Sequence, residues 1–369
     1  MTTIPSSVTH VRMNRRAGRL TVLAGVLALA CSALAACGGD ASSAADLPTS
    51  LDALVDQANE EGEVEWSAPK PIDQMQPAID LFEKKYPDIE VNYTNTKAPD
   101  QVNQIKVEQS ARKVSVDVAN AGGLTVIPSL AMADDVSWSD YGIEDEDIFE
   151  KKMVYVWAVP KVWAYNTDKV SADDVPQTWE DLQDPQWSGG KISAEARSSF
   201  MTVWDLDPTL GEDKAVTWAK DFADQKPHFT PTTTESHALI ESGQVEIGTS
   251  LANLVLDAKN SGAPIEIAPV SPTNANESYL YVPDGAPHPA AAVLLTSFLS
   301  SDEAQAALAE TYNSRIPVDT DCSDPGRTTV LQALCDAKLE WFATPDIDAY
   351  TKLTEFFPQA EKALGTNAS

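Results

Sequence analysis

Glu63-Val64-Glu65-Trp66-Ser67 alternates polar and apolar residues as a strand does. Met75, Ile79, Phe82 and Tyr86 then repeat at helical spacing until Pro87 stops the helix. Ile89, Val91 and Tyr93 alternate again, Pro99 opens a helix carrying Val102 and Ile105, and Val114–Val118 reads as a third strand. Strands separated by helices pair in parallel through right-handed crossovers, because a parallel pair cannot be joined by a tight turn. The stretch therefore predicts an α/β fold.

Outward from it, Thr49 or Ser50 caps a helix with Leu51, Leu54, Val55 and Ala58 on one face, and Gly62 ends it. Val154–Tyr165 is a dense apolar stretch containing Trp157, Trp163 and Tyr165, too long for one ordinary strand. It suits a chain passing from one lobe to another. A second α/β series runs from Lys191 to about Pro269, and helical patterns return at Pro289–Leu299, at Ser301–Tyr312 and after Cys335. The expected lobes are residues 48–155, joined again by 275–325, and residues 156–274, on which helices of 326–369 pack. No internal repeat interrupts this order.

The N-terminus is of another kind. Arg12, Arg15, Arg16 and Arg19 precede the apolar run Leu20–Ala30, and Leu34-Ala35-Ala36-Cys37 follows. A basic region, a short apolar run and small residues at a cut site make a secretory signal, here residues 1–36. The run is shorter than the ~20 apolar residues a bilayer span needs. Leu-Ala-Ala-Cys resembles a bacterial lipobox, which implies that Cys37 carries lipid and that residues 37–47 are a linker. The protein is then expected outside the cytoplasm, anchored to the cell membrane by lipid alone.

Without the leader's four arginines, 22 basic residues face 56 acidic ones, a net charge of −34 on 333 residues. Such a surface repels nucleic acid and anionic lipid, and mostly serves solubility. The length suits two lobes of ~150 residues. Cys322 and Cys335 remain after Cys31 and Cys37 are assigned, an even pair in an oxidising compartment, and read as a disulfide. Closing so short a loop contributes about 3 kcal/mol. With only His228, His237 and His288 left in the mature chain, no metal site or cofactor is expected.

Several short pieces stand in a telling order: Glu60-Glu61-Gly62-Glu63-Val64, Phe82-Glu83-Lys84-Lys85-Tyr86-Pro87-Asp88, Asp117-Val118 and Ala164-Tyr165-Asn166-Thr167. Pro176-Gln177-Thr178-Trp179, Pro185-Gln186-Trp187-Ser188-Gly189-Gly190-Lys191, Pro287-His288-Pro289 and Phe298-Leu299-Ser300-Ser301-Asp302-Glu303-Ala304 continue it. In that order, over about residues 50–320, the chain resembles the extracellular solute-binding proteins of ABC importers. More narrowly it is similar to the type 2 periplasmic-binding fold that includes the ferric-ion-binding proteins. The resemblance implies two lobes, each a mostly parallel sheet flanked by helices, joined by crossover strands. It further implies a monomer that closes on a small molecule and is read by permease subunits. A sensor partner in place of a permease stays open.

The ferric binders' ligands are a His after the first strand, a Glu after the Asp-Val strand and a Tyr-Tyr pair opening a late helix. Here those positions hold Lys70, Gly122 and Ala252-Asn253, which supply no such ligands. Iron is disfavoured on that ground, though iron and polyamine stay as alternative ligands. The family's anion-holding residues fare better: Ser198 and Ser199 follow Lys191-Ile192, Thr233 and Thr234 precede a helix, and Ser250 stands before a late one. Hydroxyls and free N–H groups at helix starts favour anions, and equally serve as ordinary caps. Arg197 adds a bidentate clamp with Lys70 opposite, unless both are solvated surface charges. The expected ligand-binding set is Ser67, Lys70, Asn120, Arg197, Ser198, Ser199, Thr233, Thr234, Ser250 and Asn253. It suits a small organic anion or zwitterion such as a phosphonate, phosphate ester or carboxylate. Trp66, Trp138 and Trp157 either line that pocket or fill the core.

The rival class is an enzyme. Ser67-Ala68-Pro69-Lys70 fits the Ser-x-x-Lys pattern of penicillin-recognising acyl-transferases. That pattern needs its Ser at a helix start and a later Lys-Thr-Gly strand, and the chain has no Lys-Thr-Gly.

Overall fold

A computed structural model describes residues 43–44, 47–206, 211–316, 322–323 and 328–366. The expected signal sequence, Cys37 and most of the linker lie outside the described residues. In chain order the first elements are α1 (Leu51–Glu61), β1 (Glu63–Ala68), α2 (Ile72–Lys85), β2 (Glu90–Asn95), α3 (Ala98–Ser110), β3 (Val118–Gly122), α4 (Val126–Leu130), β4 (Ile148–Phe149) and β5 (Met153–Ala158). Then come β6 (Lys161–Asn166), β7 (Ile192–Glu195), α5 (Val203–Leu206), α6 (Glu212–Asp224), β8 (His228–Thr230), α7 (Thr233–Glu241), β9 (Ile247–Leu251), α8 (Ala252–Asn260), β10 (Ile265–Ile267) and β11 (Thr273–Asn274). The chain finishes with β12 (Glu277–Tyr281), α9 (Pro289–Leu299), α10 (Asp302–Glu310), α11 (Thr329–Asp336), β13 (Trp341–Phe342) and α12 (Ile347–Leu364).

The caps follow the residues. Ser50 Oγ accepts from the N–H of Ala53, and Gly62 ends α1 at φ 76°, a left-handed conformation that costs glycine nothing. α1, α2 and α9 cover one face of the first sheet, burying Leu54, Phe82, Leu294 and Phe298 with Trp66 and Trp157. Trp66, Trp138 and Trp157 are thus core residues of this lobe, and their indole N–H groups find no partner among the described residues.

The first sheet runs β2-β1-β3-β12-β5-β4 and the second β13-β11-β6-β9-β7-β8, with β10 also on β6. β1 is parallel to β2 and β3, and β7 to β8 and β9, as the strand–helix alternation requires. The expected mostly parallel sheets are in fact mixed: β12 and β6 run antiparallel to their neighbours β3 and β9. The cause is the route of the chain. A strand arriving from the other lobe enters its sheet at the crevice, where β1, β3, β7 and β9 end, and so must run against them.

The third strand also differs from expectation. It begins at Val118 and continues through Ala119-Asn120-Ala121-Gly122, instead of spanning 114–118. Flanked by β1 and β12, it is buried on both faces, and small residues there replace the alternation that marks a half-exposed strand. The chain crosses between sheets three times, at Val159-Pro160, at Ala275-Asn276 and again between α10 and β13. The tail reaches both lobes: α12 lies along α6 and also touches α4, while its Tyr350 ring packs edge-on to Phe149 of β4 at 5.6 Å. Cys322 and Cys335 form the expected disulfide, which tethers α11.

Candidate functional site

On lobe one the crevice is approached by the ends of β1 and β3. Ser67 and Asn120 are buried there, and hydrogen bonds to the Ser67 carbonyl and from Asn120 join them to the scaffold. Gln101 Nε2 donates to Ser67 O at 2.7 Å, Asn120 N donates to Gln101 Oε1 at 3.0 Å, and Asn120 Nδ2 donates to Tyr279 O at 3.1 Å. Gln101, on the buried face of α3 with Ile105, thus ties the two strand ends together.

Lys70, just past β1, is a different kind of residue. It is 9% exposed, forms no ion pair with a described residue, and donates from Nζ only to Asn313 Oδ1 at 2.6 Å. Burial pushes its ammonium down to about 8, since water no longer stabilises the charge. Asn313 is held in turn, donating from Nδ2 to Gln74 Oε1 at 3.2 Å and Thr311 O at 2.8 Å. Asn313 was not among the expected residues; a lone Asn after α10 carries no sequence mark.

On lobe two, three expected residues come together around one that was not singled out. Glu195 closes β7, 4% exposed. Its Oε2 accepts from Ser199 Oγ at 2.7 Å, Thr233 Oγ1 at 2.8 Å and Lys161 Nζ at 2.9 Å, and Arg197 Nε lies 3.4 Å from Oε1. Lys161 also donates to Ser199 Oγ at 2.6 Å. Burial raises the Glu195 carboxyl, but the charge of Lys161 and the donated hydrogen bonds outweigh it and leave the pKa below the ordinary value.

The remaining expected residues stand apart from this cluster. Ser198 donates to Phe357 O of α12 at 3.2 Å, so its hydroxyl fastens the tail. Thr234 is exposed one position beyond Thr233. Ser250 Oγ bonds His237 Nδ1 at 2.9 Å, inside lobe two. Asn253 is buried at the start of α8, beside the first crossing where Ala252 N donates to Pro160 O at 2.9 Å, and its Oδ1 has no partner among the described residues.

Between the lobes lies a cavity of about 50 Å³, bordered by Leu124 after β3, Ser199 and Thr202 of lobe two, Asn276 and Glu277 of the second crossing, and Tyr350 of α12. A larger groove of about 650 Å³ opens elsewhere, bordered by Tyr165, Leu256, Lys259 and Gln332, and no expected site residue borders it. Glu277 Oε1 accepts from Thr344 N at 2.8 Å, and burial pushes its carboxyl up to about 7.

The Ser-x-x-Lys reading fails on geometry: Ser67 sits within strand β1 and not at a helix start. Among the described residues, no three His, Cys, Asp or Glu side chains gather as a metal site.

The sequence profile of bacterial extracellular solute-binding proteins matches residues 78–334. Iron-bound HitA from Pseudomonas aeruginosa superposes with a TM-score of 0.66 at 16% identity, over 82% of this chain and 99% of that one. The substrate-binding protein of an ABC transporter from Agrobacterium tumefaciens gives 0.67 at 17%, over 82% and 94%. AgtB from A. tumefaciens, in complex with agropinic acid, gives 0.63 at 18%, over 82% and 99%. At such identities the likeness establishes the two-lobed fold. Comparison with curated protein sequences returns no match.

Proposed function

Because this chain belongs to the bacterial extracellular solute-binding proteins, we propose that it captures a small organic acid or zwitterion between its lobes and passes it to an ABC importer's permease. The reading places the protein at the outer face of the cell membrane, held by lipid on Cys37. Import is supported by the A. tumefaciens relative that serves an ABC transporter. An acid-bearing solute is supported by AgtB, which holds agropinic acid. Iron, which HitA holds, fits poorly with Lys70, Gly122 and Asn253 at the positions discussed above.

One observation carries the ligand class: the buried ammonium of Lys70, answered by a single amide oxygen. A cation held in low dielectric without a counter-charge is costly, and an arriving carboxylate or phosphonate would offset that cost at the moment of binding. Such a contact is made in full only when the solute is enclosed, so it favours the closed form that a permease reads.

Native mass spectrometry of freshly purified protein tests this. The expected result is a co-purifying small acid that raises the melting temperature by mass action and is lost from Lys70→Met. A co-purifying polyamine, or tight stoichiometric ferric binding by calorimetry, would overturn the ligand class.

A further inference from the structure

The groups around Glu195 come from four separate places. Lys161 opens β6, Arg197 lies in the loop after β7, Ser199 stands in the next turn, and Thr233 begins α7. All converge on one carboxylate that is almost wholly withdrawn from water. Two hydroxyls and an ammonium donating to one carboxylate oxygen, with a guanidinium 3.4 Å from the other, are the set that a free oxyanion would need.

We propose that Glu195 is a resident anion, filling an oxyanion cradle on lobe two so that the crevice rejects free phosphate and sulfate. By this account lobe two leaves the solute's acid group to Lys70, a clause that rests on the function proposed above; the cradle itself does not.

The charges agree. Lys161 and Arg197 bring two positive charges against the one negative charge of Glu195. Arg197, half-exposed, also interacts with Glu361 of α12, so Lys161 is the cradle's main cation. A carboxylate held in place beside its donors has already lost the translational freedom that a free anion must give up on binding. The cradle also has an outlet, because Ser199 borders the cavity between the lobes.

The test titrates inorganic phosphate and sulfate into wild type, Glu195→Ala and Glu195→Gln by calorimetry, at moderate salt to screen the acidic surface. Wild type should bind both anions only weakly. Glu195→Ala should bind phosphate about tenfold or more tightly than wild type, and acetate should raise its melting temperature. Glu195→Gln keeps an amide oxygen in the cradle and should fold without gaining phosphate binding. Where Glu195→Ala folds poorly, phosphate or acetate in the refolding buffer should restore it. The double variant Lys70→Met/Glu195→Ala should still bind phosphate, so a failed Lys70 reading is told apart from a failed cradle. The proposal is overturned by a Glu195→Ala protein that neither binds phosphate nor is rescued by either anion. Equal phosphate affinity in wild type would overturn it too.

Discussion

Val159 and Asn276 hold the first two crossings together by a reciprocal pair of hydrogen bonds. Val159 N donates to Asn276 O at 3.2 Å, and Asn276 Nδ2 donates back to Val159 O at 3.1 Å. Two of the three connections between the lobes pass through this pair, and the third runs beside it, where Ala158 N donates to Ser314 O at 3.0 Å; the hinge motion that the proposed function requires would turn here. Asn276 also sits at φ 54°, where asparagine is tolerated better than most residues.

Asn276→Ala therefore loses a hydrogen bond and gains backbone strain, each about 1 kcal/mol. Asn276→Gly loses the bond and is free of strain. Chemical denaturation should rank wild type above Gly and Gly above Ala, with about 2 kcal/mol separating the extremes. Equal losses in the two variants would show that φ contributes nothing there.

Glu277, the next residue, supplies a pH dependence. Burial pushes its folded carboxyl up to about 7 from an ordinary 4.5, with Tyr155, Tyr279 and Tyr350 facing it. The folded chain then holds a proton that the unfolded chain has released between those values. Its stabilising contribution is complete below 4.5 and is lost as pH rises through 7. Glu277→Gln should melt higher than wild type at pH 8, by up to about 3 kcal/mol, and the gap should close by pH 5. A gap that does not change with pH would refute the shift.

How much of this was legible beforehand depends on which physical signal each residue leaves. The strand–helix order from Glu63 to Ile105 was readable because half-buried elements print their period on the sequence. β3 was not, since Ala119-Asn120-Ala121-Gly122 is buried on both faces and shows no period. The crossing near Val159 could be inferred from an apolar stretch too long for one strand. Of the groups described on the two lobes, Lys70, Arg197, Ser199 and Thr233 had been singled out, by their match to family positions and by residue type. Glu195, Lys161 and Asn313 were missed: a carboxylate among 56 acidic residues is unmarked until its donors are seen around it. Ser198, singled out with them, is a hydroxyl at a turn start that donates to a carbonyl of the tail helix.

The anchor can be checked without structure. Metabolic labelling with a fatty-acid analogue should tag the wild-type protein and not Cys37→Ser, because the lipobox reading makes that thiol the acceptor. Two acyl signals hold a protein stably where one does not, so Cys37→Ser should also leave the membrane fraction. Equal labelling of both proteins would sink the lipobox reading.

Lys70 links stability to function in a way that separates its two possible roles. Its folded pKa, pushed down to about 8 from 10.5, means that the folded state releases a proton the unfolded state keeps. The contribution of this group is therefore most favourable above 10.5 and is lost as pH falls through 8, so at pH 7 the lysine destabilises the empty protein. The shift corresponds to about 3 kcal/mol, an upper figure because Asn313 already meets the ammonium. Lys70→Met keeps most of the volume and removes the charge. In thermal melts at pH 7 it should be more stable than wild type, and the advantage should vanish by about pH 10. A residue present only for packing would show the opposite, a loss on substitution. One that holds a solute's acid group should show the stabilisation together with a loss of solute affinity, because strain at a binding site is retained for what it binds. A stabilised Lys70→Met protein with unchanged affinity would remove Lys70 from the site.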